Sequence, residues 1–174
     1  MARVVFFSFD YDDVFRVNQV RNSGRFVGED RSGFRDKAEY EQVKRQGDRA
    51  ISNWIRRQMH GCSVTCVLIG EHTHKSKWVH FEIEESIANG MGLLGLYIHR
   101  LFKPGASSYA WVAPHNPLED HRMPPRGSLD GLWPDRASDR FETHTWQPAN
   151  PGIRLFRHND LGAWVEEAAD RAGR

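Results

Sequence analysis

Glu82, Glu84 and Glu85 fall within four residues of one another, with Trp78 and His80 just ahead of them, in the stretch HKSKWVHFEIEESI at 74–87. A carboxylate fixed in a partly dry cleft can steady a developing positive charge or hold sugar hydroxyls. The same acids on an ordinary helix would be solvated. At about 100° per residue, Val79, Ile83 and Ile87 stack into one apolar stripe. Trp78, Glu82 and Glu85 share a flank beside it, and Glu82 sits about 100° from the stripe's centre. That makes Glu82 a boundary residue, while Phe81 and Glu84 point roughly the other way. Ser76 is placed to cap the helix.

Three other groupings could carry chemistry. His72, His74 and His80 offer nitrogen ligands, but their spacing follows no known metal pattern, and capping or loop histidines explain them as well. Asp10, Asp12 and Asp13 would suit a magnesium-binding phosphoreceiver. That chemistry also wants an acid at the end of the third strand, where Ile69-Gly70-Glu71 stands instead. The run Gly90-Met-Gly-Leu-Leu-Gly is not GxGxxG and falls between a helix and a strand, the wrong end for phosphate.

The elements that must position these residues follow from periodicity. RVVFFSF (3–9), SVTCVLI (63–69) and LLGLYI (93–98) are continuous apolar runs, the habit of parallel strands covered on both faces. Residues 25–27 are a weaker strand candidate, and Phe141–Trp146 a last one. Helices are expected over 11–21, over 36–59 with Gly47 as an interruption, over 76–89, and over 160–172. Strand–helix alternation argues a doubly wound α/β domain. In such a sheet ligands sit beyond the carboxyl ends of the strands, where strand order reverses. Ser8-Phe9-Asp10, Gly70–His74 and His99-Arg100 all land at that edge, and the 74–87 helix follows the second of them.

Length and composition exclude several classes. The 174 residues suit one domain, 39% hydrophobic and 27% charged, with net charge +1. Nothing there calls for nucleic acid or an anionic membrane. No apolar run approaches the ~20 residues that span a bilayer, and the start MARVVFFSFD lacks the shape of a signal peptide. A cytoplasmic protein is the expectation. Cys62 and Cys66 fit reduced, buried thiols. All eight prolines lie between Pro104 and Pro151, so residues 103–150 read as a loop-rich insertion, on the surface or over the site.

VVFFSFDYDD and SVTCVLIGEHTHKSKWVHFEIEESIANGMGLLGLYIH, with their spacing, resemble the TIR-like proteins of the Thoeris anti-phage system, the ThsB branch. The similarity covers about residues 3–103 and is loose beyond. It implies an α/β, flavodoxin-like TIR fold: a central parallel five-stranded sheet with helices on both faces, in a single domain over 1–174. The core would be about 3–103 and the C-terminal helix about 160–172. It also implies cleavage of NAD at the nicotinamide–ribose bond and release of a cyclic ADP-ribose-type signal that activates a partner effector. NAD is then substrate; no further cofactor and no metal is invoked, and a homo-oligomer is a candidate active form. The essential glutamate of a WVxxEI-like helix lands on Glu82. Ser8, Phe9, Asp10 and Trp78 become candidates for ribose and ring contacts. The segment 24–35, where TIR domains place their mobile loop, aligns with no familiar pattern. Two alternatives stand beside this reading: a non-catalytic TIR interaction module, and a deoxyribosyltransferase-like enzyme with a nucleophilic glutamate.

Overall fold

A computed structural model of the chain describes residues 3–22, 29–32, 37–105, 112–125, 135–147 and 160–174, with only the backbone at 29–32 and 37–40. Five parallel strands form one sheet: β1 (Val4–Phe9), β2 (Glu29–Ser32), β3 (Val64–Ile69), β4 (Gly92–Tyr97) and β5 (Thr143–Thr145), in the order β2-β1-β3-β4-β5. β5 is a three-residue edge, so four strands carry most of the sheet. The helices are α1 (Val14–Arg21), α2 (Lys37–Lys44), α3 (Asp48–Met59), α4 (Lys77–Ala88), α5 (Ala137–Arg140) and α6 (Leu161–Arg171). This is the TIR-like, flavodoxin-type order, with its switch point between β1 and β3.

Alternation along each strand divides the core. Val5, Phe7 and Phe9 of β1, Cys66 and Leu68 of β3, and Leu94 and Leu96 of β4 pack with Val17 and Val20 of α1 and with Leu161 and Val165 of α6. On the other face, Val67 and Ile69 meet Val79 and Ile83 of α4, and Phe6 meets Ile51, Trp54 and Ile55 of α3. β1, β3 and β4 are thus apolar throughout because both faces are covered.

Several expectations need correction. The 25–27 strand candidate lies outside the described residues; the strand that pairs with β1 is the polar segment Glu29–Ser32, inside the stretch expected to be a mobile loop. The interruption expected at Gly47 is found: α2 and α3 are separate helices, and Gly47 takes a φ of 88°, a left-handed conformation that only glycine adopts cheaply. The described part of 103–150 is more than a surface loop. Leu118, Met123, Ala137 and Phe141 are buried against α4 and β3, and Met123 N and Asp135 O join across a single antiparallel bridge between Arg122 and Arg136. No described helix is long and apolar enough to cross a membrane. Cys62 and Cys66 are free and buried.

Candidate active site

β1 presents Ser8 on the α3/α4 side of the sheet, between Phe7 and Phe9, which face the other way. α4 runs over that side and brings Glu82 down to it. The Ser8 hydroxyl donates to Glu82 Oε2 at 2.6 Å. Ser8 is 0% exposed and Glu82 1%. Glu82 is therefore buried, which overturns its placement as a boundary residue. A helical wheel drawn for α4 alone assigns its flank to solvent, but α3 lies alongside. Trp78 packs into the α3 cluster, and Arg56 of α3 bonds Glu85 at 2.7 Å. The flank faces α3, and Glu82 is buried against β1.

Two further hydroxyls hold this turn of α4 in place. Ser86 donates to the Glu82 carbonyl at 2.6 Å, and Ser86 and Thr65 of β3 share a bond of 2.7 Å. Sequence reasoning missed both. The available signal was a serine four residues after Glu82, on the side of the helix that meets the sheet. Thr73, fully buried, accepts from Gly70 N at 2.8 Å and fastens the loop that leads into α4.

Burial dominates the electrostatics. It pushes the Glu82 carboxyl up to about 8, and only the Ser8 hydroxyl pulls it back. Burial therefore favours the neutral, protonated carboxyl at pH 7.

The serine–glutamate pair lies near the carboxyl end of β1, where Ser8 is still in register with Val67 of β3, and ligands of this fold sit beyond that end. The family model described as Thoeris protein ThsB, TIR-like domain, matches residues 6–103, which includes both residues. The chain belongs to that family. A candidate cyclic ADP-D-ribose synthase, ThsB1, of Bacillus cereus (strain MSX-D12) is 41% identical over 102 residues, covering 57% of this chain and 53% of the relative. The chain thus spans about half the length of the curated relative it matches.

Other candidate residues of this ThsB TIR-like domain are placed as follows. Trp78 is partly buried against the α3 cluster, its ring edge-on to Phe81 at 5.9 Å, with the Lys77 ammonium 5.0 Å above it. Asp10 lies just beyond β1, where its side chain accepts from Asp12 N at 3.0 Å and caps a 3-10 turn. Phe9 is not brought to Glu82: it is 2% exposed in the α1/α6 core, on the opposite face of the sheet. Ser76 stands at the N-terminus of α4 without a side-chain cap bond.

The histidines split between two tasks. His80 Nε2 donates to the His74 carbonyl at 2.7 Å, so its Nδ1 is free to accept from His121 Nε2 at 2.8 Å. That pair ties the 116–123 segment to α4. Among the described residues the group suited to a metal is instead Glu142, His144 and Glu167, where Arg171 already donates to both glutamates at 2.6 and 2.7 Å.

The raised Glu82 carboxyl has a consequence for stability. An unfolded glutamate ionises near 4.5, the folded one near 8. Between those values the folded state holds a proton that the unfolded state has lost, so stability falls as pH rises and levels off above 8. Glu82→Gln cannot ionise. Urea unfolding between pH 5 and pH 8 should show wild type losing stability relative to Glu82→Gln by up to about 1.4 kcal/mol per pH unit. Parallel pH profiles for the two proteins would contradict a buried, neutral Glu82.

Proposed function

We propose that this ThsB TIR-like domain is an NAD-consuming enzyme that cleaves the nicotinamide–ribose bond and closes the remainder into a cyclic ADP-ribose-type signal for a partner effector in anti-phage defence. The observation that carries the reading is the buried Ser8–Glu82 pair at the ligand edge. The name of the Bacillus cereus relative supports the cyclic product.

The chemistry needs little else. Nicotinamide leaves as a neutral molecule: the C1′–N bond breaks, its electron pair stays on the ring nitrogen, and the ribose carbon becomes an oxocarbenium ion. No general acid is required for such a leaving group. An ionised Glu82 steadies the cation or orients the ribose hydroxyls. Ser8 fixes one carboxylate oxygen and leaves the other free. Attack on C1′ by a nucleophile of the same molecule closes a ring, and attack by water yields the linear product. A carboxyl at 1% exposure is a dry one, which disfavours water. The partly buried Trp78 is our candidate for base or nicotinamide contact, and Asp10, just beyond β1, for a ribose hydroxyl.

Mass spectrometry of small molecules, from cells carrying the chain before and after phage infection, tests this reading. A cyclic ADP-ribose-type product with wild type, absent with Glu82→Gln, is the expected result. Equal product from both would remove Glu82 from the reaction, and no product from either would favour a non-catalytic interaction module; a covalent sugar adduct on Glu82 would favour the transferase-like alternative.

Ser8→Ala removes the donor that favours the charged carboxylate. It should lower kcat/KM roughly ten- to hundredfold, the worth of a hydrogen bond to a charged group. It should also move the rising limb of the pH–rate profile above the wild-type inflection near 8. An unchanged profile would separate Ser8 from the reaction.

A further inference from the structure

The edge of the sheet farthest from Ser8 carries a second cluster of side chains. His144 of β5 lies flat against the Trp164 ring of α6, at 4.2 Å and 7°, which fixes the plane of the imidazole. His144 Nε2 lies 3.7 Å from Glu142 Oε2. That nitrogen is buried and finds no hydrogen-bond partner among the described residues. Glu167, three residues after Trp164 on α6, completes the group: one ligand atom from each of Glu142, His144 and Glu167 lies within 4.8 Å of the others. Arg171 donates to both acids, to Glu142 at 2.6 Å and to Glu167 at 2.7 Å. Its guanidinium shows that the cluster takes a cation, yet it serves the cluster incompletely. Two carboxylates and one guanidinium leave one negative charge over, and the His144 nitrogen gains no bond.

We propose that Glu142, His144 and Glu167 bind a divalent transition ion of the zinc class, which displaces Arg171 and pins α6 to the edge strand β5. The spacing suits such an ion. Ligand atoms ~2.0–2.2 Å from zinc stand roughly 3.3–3.6 Å apart at tetrahedral angles. The 3.7 Å between His144 Nε2 and Glu142 Oε2 therefore closes on zinc with a small side-chain movement. The donor set selects the ion: an imidazole nitrogen suits zinc, whereas magnesium and calcium want oxygen throughout. Two carboxylates and a neutral imidazole balance a 2+ charge and leave a fourth position for water. Arg171 is a weak competitor, because it and both glutamates are partly exposed and their ion pairs are screened by solvent. Once released, its guanidinium enters water. The cluster sits on the α6 face of the sheet, opposite the face that carries Ser8 and Glu82, so the proposal stands apart from the NAD-consuming reading.

The test titrates zinc chloride into the whole chain after chelator treatment. Calorimetry should report binding at a single class of site, and zinc at about a hundredfold excess over its dissociation constant should raise Tm by roughly 5–10 °C. Magnesium chloride at the same concentration should do neither. His144→Phe keeps a ring against Trp164 and removes the nitrogen; it should bind zinc at least about tenfold more weakly, since loss of an outer-shell partner alone typically costs that much. Glu167→Gln keeps an acceptor for Arg171 and should weaken zinc in the same way, so the test survives if His144→Phe fails to fold. Arg171→Gln removes the competing cation and should bind zinc more tightly than wild type. A Tm indifferent to zinc overturns the proposal. So does zinc held equally well by wild type and by folded His144→Phe, because that ion sits elsewhere, for instance on His74 and His115, whose rings are 5.6 Å apart.

Discussion

Glu82→Gln should abolish nicotinamide release from NAD, with a loss of about a thousandfold or more in kcat/KM. The amide keeps the shape of the side chain and can still accept from Ser8, so the buried space beside β1 stays filled. What disappears is the capacity to carry a negative charge at a site that is 1% exposed. Removing even one neutral donor that stabilises transition-state charge typically costs 10²–10³-fold. Here the whole countercharge of an oxocarbenium ion goes, and the other two acids of α4 are not positioned to replace it: Glu85 is held by Arg56 at 2.7 Å, and Glu84 is exposed. Chromatographic assay of free nicotinamide checks the rate. Circular dichroism and thermal unfolding check that the variant folds, and the variant should be at least as stable as wild type at pH 8. Residual activity above a tenth of wild type in a folded variant would remove Glu82 from the reaction centre.

The parts of this architecture written in local pattern were legible from sequence; those that depend on a second element were not. β1, β3 and β4 announce themselves as unbroken apolar runs because each is covered on both faces. β2 escaped because an edge strand need not be apolar, and Glu-Asp-Arg-Ser carries no burial signal. Glu82 could be singled out by its WVHFEI setting. Its burial could not, since that follows from α3 lying beside α4, a fact no single-helix wheel contains. Phe9 illustrates a signal that was present but unused. Side chains alternate along a strand, so Ser8 and Phe9 cannot both face Glu82; once Ser8 is paired with it, Phe9 belongs to the other core. The His80–His121 link joins residues 41 positions apart through a loop-rich segment that has no period to read.

The aspartates after β1 carry a second large prediction, and the structure gives them a task quite unlike metal binding. Asp13 is 2% exposed and Arg16 3%, and they bond at 2.6 Å. Arg16 Nε also donates to the Leu101 carbonyl at 3.0 Å, which ties α1 to the chain beyond β4. The Asp13 carboxylate lies directly on Gly70: a Cβ there would come within 1.7 Å of Asp13 Oδ2. The end of β3 is glycine because an acid from the first crossover occupies the space. Asp13→Ala leaves the Arg16 guanidinium buried and unpaired, and should cost about 3–5 kcal/mol. In a chain of this size that lowers Tm by roughly 10 °C. Asp12→Ala, whose side chain is exposed, should stay within about 0.5 kcal/mol of wild type. Asp13→Ala combined with Arg16→Met should recover part of the loss, because an apolar pair replaces a stranded charge. Denaturant unfolding of the four proteins measures this, and an Asp13→Ala midpoint equal to that of Asp12→Ala would sink it. The consequence reaches the site through Gly70. The loop from Gly70 to Thr73 leads straight into α4, so Asp13 is one of the supports that keep Glu82 over Ser8.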